Sequence, residues 1–138
     1  MTKRQLMYIE LKTGYSDNGP AWISNVTFSK SGRTIYFNGK ALKRSERGIS
    51  GNYYDLESGD EYWISGVKKR GTNRHWAGSG KIKLDVNAVN DLLQHTGQIE
   101  VDNKQYEICS NIQPTDPKDF VEMENEKFST SDEWPEEL

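Results

Sequence analysis

The sequence predicts a mainly β protein: a small antiparallel β-barrel or sandwich with one short α-helix and an acidic C-terminal tail. Three observations lead there. Apolar residues recur with a period of two through short stretches, turn-forming residues separate those stretches, and one segment alone carries a helical period. Seven or eight short strands with turns about every ten residues are the pattern of a small barrel or sandwich.

The elements follow in chain order. Met7, Ile9 and Leu11 alternate with Tyr8 and Glu10, which places the first three on one strand face. Gly14 through Pro20 is a loop of turn formers. Trp22, Val26 and Phe28 then share a face opposite Ile23, Asn25 and Thr27. A turn at Lys30–Arg33 leads into Thr34–Phe37, where Ile35 and Phe37 point together. Asn38-Gly39 is the strongest hairpin signal, because both central positions of a type I′ turn need positive φ; Lys40–Arg44 is the returning strand. A flexible Ser45–Gly51 stretch precedes a second hairpin, Tyr53–Glu57 and Glu61–Lys69, joined by Ser58-Gly59-Asp60. After the glycine-rich Ala77–Gly80 comes a strand at Lys81–Leu84. The helix starts at an Asp85 cap, carries Val89, Leu92 and Leu93 on one stripe, and stops at Gly97. Ile99–Val101 and Tyr106–Ile108 read as a last hairpin about Asp102-Asn103-Lys104.

Charge divides the chain. Residues 1–113 carry a net +4 and residues 114–138 a net −7, so the reading is a β-rich globular domain over 1–113 and a mobile acidic tail over 114–138. A short helical turn is expected within that tail near Lys118–Glu124. Fifteen aromatic residues offset a hydrophobic content of only 33%, so the core is built largely from rings. A single cysteine, Cys109, excludes an intrachain disulfide. The basic start lacks the apolar run of a secretory leader, and no stretch approaches the roughly 18 apolar residues of a membrane span. A cytoplasmic location without membrane contact is the expectation.

Catalytic and cofactor signatures are sparse. One Cys and two His lack the spacing of a zinc site, and no cofactor motif is present. Gly78-Ser79-Gly80 leads into an alternating Lys81–Leu84 rather than a helix, so it does not read as a phosphate loop. Cys109 reads as a packing residue and His95 as a cation in the last helical turn. Asp55, Glu57, Asp60 and Glu61 read as solvated charge at a hairpin end.

The richest surface signal lies in Tyr53–Trp76. Tyr54, Tyr62, Trp63 and Trp76 are interleaved there with Lys68, Lys69, Arg70, Arg74 and His75. Strand alternation cannot bury both Tyr62 and Trp63 in one core, so one ring faces outward. Aromatic and basic side chains together suit a protein hot spot or a stacking platform for single-stranded nucleic acid. These nine residues are the candidate binding set, with Tyr15–Trp22 as a second candidate surface. The charge split raises the hypothesis that the tail folds back over the basic Lys68–Arg74 tip, but the expectation is a solvated, solubilising tail.

Tyr8–Ile23 (YIELKTGYSDNGPAWI), with Gly48–Asp55 (GISGNYYD) and Arg74–Gly78 (RHWAG), resembles a family of small uncharacterised bacterial proteins. The resemblance covers about residues 7–85 and implies no activity, cofactor or site. Some members carry the name of a deoxyxylulose-phosphate synthase, a large multi-domain thiamine-diphosphate enzyme for which 138 residues leave no room. The functional expectation is a non-enzymatic binding module for a protein partner. Single-stranded nucleic-acid binding on the same surface is one alternative; a small hydrolase or transferase with a cleft near His75, Asp55 and Glu57 is another.

Overall fold

A computed structural model describes residues 3–12, 19–45, 51–69 and 81–121. The described residues form eight strands: β1 (Lys3–Lys12), β2 (Ala21–Phe28), β3 (Thr34–Phe37), β4 (Lys40–Arg44), β5 (Tyr53–Asp55), β6 (Glu61–Gly66), β7 (Ile82–Asp85) and β8 (Tyr106–Cys109). The order β1-β6-β5-β4-β3-β2 closes on itself through pairing of β1 with β2, giving a six-stranded antiparallel barrel. Closure removes the open edges that a flat sheet of these strands would expose.

Local chemistry accounts for the turns. Asn38 and Gly39 take φ of 51° and 74°, the left-handed pair that a type I′ turn requires. The resulting register sets Phe37 opposite Lys40, Tyr36 opposite Ala41, Ile35 opposite Leu42 and Thr34 opposite Lys43. Alternation then sorts the side chains. Met7, Ile9, Val26, Ile35, Phe37, Leu42, Tyr53, Tyr62 and Ile64 fill the barrel, with Trp22 meeting Phe37 edge-on at 5.6 Å between centroids.

Two strands and the helix lie outside the barrel. β7 runs parallel to β2 at Trp22 and Ile23, and β8 runs parallel to β7. A single 3-10 turn, Val86–Ala88, continues into α1 (Val89–Thr96) and forms the crossover that parallel strands need. Asp85 caps the start by accepting from the Asn87 N–H, and Gly97 ends α1 at φ 76° with its N–H donating to the Leu93 carbonyl. Ala88 and Leu92 press onto the outer face of the barrel, forming a second core with Tyr8, Ile23, Val67, Ile82, Leu84 and Tyr106. No helix among the described residues is long and apolar enough to cross a membrane.

Two expectations are corrected. The final hairpin does not form: Ile99 is 94% exposed, and β8 pairs with β7 instead. The reason is local. Asp102 accepts backbone bonds from both Gln105 and Tyr106, a helical turn that redirects the chain rather than reversing it as a hairpin does. The segment after residue 113 is not wholly a solvated tail. It is packed as far as Phe120, with a 3-10 turn at Pro117–Phe120 capped by Asp116, close to the helical turn expected near Lys118–Glu124. Phe120 is buried there against Tyr36, Ala41 and Leu56, a third cluster on the outer face of β3 and β4.

Candidate functional site

The aromatic and basic residues singled out by the sequence do not share one face. Tyr62 pairs with Tyr53 and alternates in phase with Ile64, so its ring belongs to the barrel interior and leaves the surface set. Burial and the nearby carboxylates of Asp55 and Asp60 push its phenol up to about 12. Trp63, one position on, turns to the outer face of the barrel. It is half-buried there against the second core, opposite Glu10 of β1. Tyr54 is half-buried beside the third cluster. Lys68 and Lys69 are exposed just beyond β6. Arg70, Arg74, His75 and Trp76 lie outside the described residues, as do residues 15–18 of the Tyr15–Trp22 loop and the tail beyond Val121.

The described groups that could serve catalysis hold the fold together. Asp55 is buried; its Oδ1 accepts the Glu57 N–H at 2.9 Å, and its Oδ2 lies 3.5 Å from Lys40 Nζ. Glu57 points to solvent. The carbonyl of Val67 can only accept, so His95 Nε2 carries the proton and donates across 2.6 Å, tying α1 to the end of β6. Cys109 is half-buried, and burial followed by the Asp85 charge raises its thiol pKa, the opposite of what a nucleophilic thiolate needs.

A different place in the fold presents an open, structured site. β2 pairs with β7 through Trp22 and Ile23, and with β3 through Thr27 and Phe28. Among the described residues Ser24, Asn25 and Val26 therefore have no strand partner on that edge. The two neighbours diverge, and so do the layers above them: α1 with its leading turn covers one side, and the strap ending at Phe120 covers the other. Between them remains a crevice of about 500 Å³. Its floor includes Asn25, Thr27 and Arg4, which stands opposite Thr27 on β1. Asp85 and Asn87 form one wall; Asn38 and Ile112–Thr115 form the other.

Hydrogen bonds hold both walls. Ser24 Oγ donates to Asp85 Oδ2 at 2.8 Å while Asp85 Oδ1 accepts the Asn87 N–H at 2.9 Å. Asn25 Nδ2 donates to Asp91 Oδ2 at 2.6 Å, fixing the amide so that its oxygen remains available. On the far wall the Gln113 N–H donates to Asn38 Oδ1 at 2.9 Å, and the Gly39 N–H donates to Thr115 Oγ1. Sequence reasoning missed this site because its residues come from five separate segments. The one usable signal was the strand–helix–strand order of residues 82–109, which implies a parallel pair and a diverging neighbour.

Comparison with family models, with curated proteins and with solved structures finds no match to this chain.

Proposed function

We propose that the chain is a non-enzymatic binding module and that the crevice beside β2 receives a short polar segment of a protein partner. One observation carries this reading: the barrel sheet divides at Ser24–Val26, and the division opens between rigid walls. Open α/β sheets bind ligands in the crevice where neighbouring strands part, and the parting of β3 and β7 from β2 makes an analogous opening here. A volume of about 500 Å³ falls within the range of ligand pockets, roughly 300–1,000 Å³.

The lining supports a peptide. Asn25, Asn38, Asn87 and Gln113 offer side-chain amides, which both donate and accept and so match the two polar groups of a peptide unit. Asp85 in one wall is already engaged, as is Asp91, which holds Asn25, and this favours recognition over proton transfer. Val86, 46% exposed between two lining residues, supplies apolar contact at the border. Polar centres with apolar neighbours are ordinary for non-obligate protein interfaces.

Amide NMR of the isotopically labelled full chain tests the reading. A pool of short polar peptides is expected to shift Asn25, Thr27, Asn87 and Gln113 together. Mixed single-stranded RNA and DNA are added in a parallel titration. Shifts centred instead on Trp63, Lys68 and Lys69 with the oligonucleotides would replace the peptide reading with the nucleic-acid one. No peptide response at the crevice would remove it.

A further inference from the structure

The hairpin that closes on Asn38-Gly39 has a second consequence at its open end. Its register sets Thr34 opposite Lys43, so the next step outward sets Arg33 opposite Arg44, and the Arg44 N–H donates to the Arg33 carbonyl at 2.8 Å. Residues directly opposite on an antiparallel pair stand on the same face with Cα atoms about 5.5 Å apart. The two arginine side chains therefore leave the hairpin on the same face. Like charges so placed repel, and a structure normally dilutes the repulsion with a carboxylate. None serves here: among the described residues neither arginine has an ion-pair partner, and both side chains are exposed.

The pair opens onto a groove of about 500 Å³, lined among the described residues also by Ser31, Gly32 and Lys43 and by no acidic one. Gly32 at φ 77° makes the turn that brings Ser31 and Arg33 to its edge. The groove lies at the opposite end of the β3–β4 hairpin from Asn38, and so apart from the crevice beside β2.

We propose that Arg33 and Arg44 form a clamp for a doubly charged phosphate group. A guanidinium presents a planar fork of N–H donors that fits two oxygens of a tetrahedral anion, and two forks match two negative charges. A single carboxylate would leave one of the charges uncompensated. The clamp takes a phosphomonoester or free phosphate; a diester, with one charge per phosphate, is a poorer match. This inference does not depend on the crevice.

The test uses the full chain and follows backbone amide and arginine Nε–H signals. Inorganic phosphate and a phosphoserine peptide are titrated separately, with sodium acetate and sodium chloride at matched ionic strength as controls. Saturable shifts at Arg33 and Arg44 are expected with the phosphates alone. Arg33→Gln and Arg44→Gln should each weaken them about tenfold or more, the loss of one charge-assisted contact. Both variants should melt no lower than the parent, since each removes repulsion, so lost binding will not reflect lost folding. A tighter peptide identifies a phosphorylated protein as the source, and equal affinity identifies the free phosphate group; either supports the clamp. Equal responses to acetate and phosphate, or affinity unchanged in both variants, would overturn it.

Discussion

Replacing Lys12 with Met should destabilise this protein far more than any ordinary surface lysine would. Tyr8, Glu10 and Lys12 follow one another along the outer face of β1, and that face is buried: Tyr8 is 1% exposed, Glu10 0% and Lys12 7%. Glu10 accepts the Tyr8 hydroxyl with one oxygen and Lys12 Nζ, at 3.1 Å, with the other. Removing Lys12 leaves a fully buried carboxylate with a single neutral donor. Breaking a buried ion pair from one side costs about 3–5 kcal/mol. Lys12 sits at the end of its strand, so the lower end applies, about 3 kcal/mol, or a fall in Tm of about 10 °C for a domain of this size. Urea unfolding at neutral pH, with the slope checked for constancy, reads the loss directly. The double variant Glu10→Leu/Lys12→Met has no orphaned charge and should recover about 2 kcal/mol of the summed single losses. A loss below about 1 kcal/mol for Lys12→Met, or strict additivity in the double variant, would refute the burial argument.

Two further perturbations probe the barrel. A Cβ added at Gly51 would lie 2.5 Å from the Tyr62 carbonyl oxygen and 2.8 Å from its nitrogen, both backbone atoms that cannot swing aside. Gly51→Ala should therefore cost about 1–3 kcal/mol; hydrogen exchange should show lost protection at the Asn52 N–H, which donates to the Tyr62 carbonyl. The phenol of Tyr62 gives a pH dependence. Its folded pKa of about 12 lies above the ordinary phenol value of 10, so the unfolded chain releases its proton first. That stabilisation is complete below pH ~10 and is lost as pH rises towards ~12. Tyr62→Phe should flatten that part of the stability curve, and an unchanged slope above pH ~10 would contradict the assignment. Tyr53, raised in the same direction by burial, leaves a smaller residual slope.

What the sequence made legible was whatever the backbone decides locally. Asn38-Gly39 specifies its turn because few other residue pairs tolerate two positive φ values. Met7 and Ile9 could be assigned to the interior because a strand has only two faces. The opposite face of β1 was harder: Tyr8 and Glu10 look like residues for water, and only the arrival of α1 and of β6 beside them buries both. Ile99–Val101 failed for a related reason. A three-residue apolar–acidic alternation fits a strand, but pairing needs a partner edge, and β7 offered its edge to Tyr106–Cys109 across the helical crossover. Partner choice is a tertiary property, and periodicity does not encode it.

The two surface sites divide along the same line. Tyr62, Trp63, Lys68 and Lys69 drew notice because they are contiguous, yet contiguity in a strand separates neighbours: Tyr62 went into the core and Trp63 to the outer face. The crevice is the reverse case. Asn25, Asn38, Asn87 and Gln113 resemble scattered turn formers, and nothing local distinguishes them until β2 changes partner between Ile23 and Thr27. The arginine pair lies between these extremes. Once Asn38-Gly39 is accepted as a two-residue turn, each step outward fixes a pair, and Arg33 falls opposite Arg44 without knowledge of any other strand. A two-residue turn therefore turns a list of charges into a list of neighbours, and a like-charge pair stands out at once.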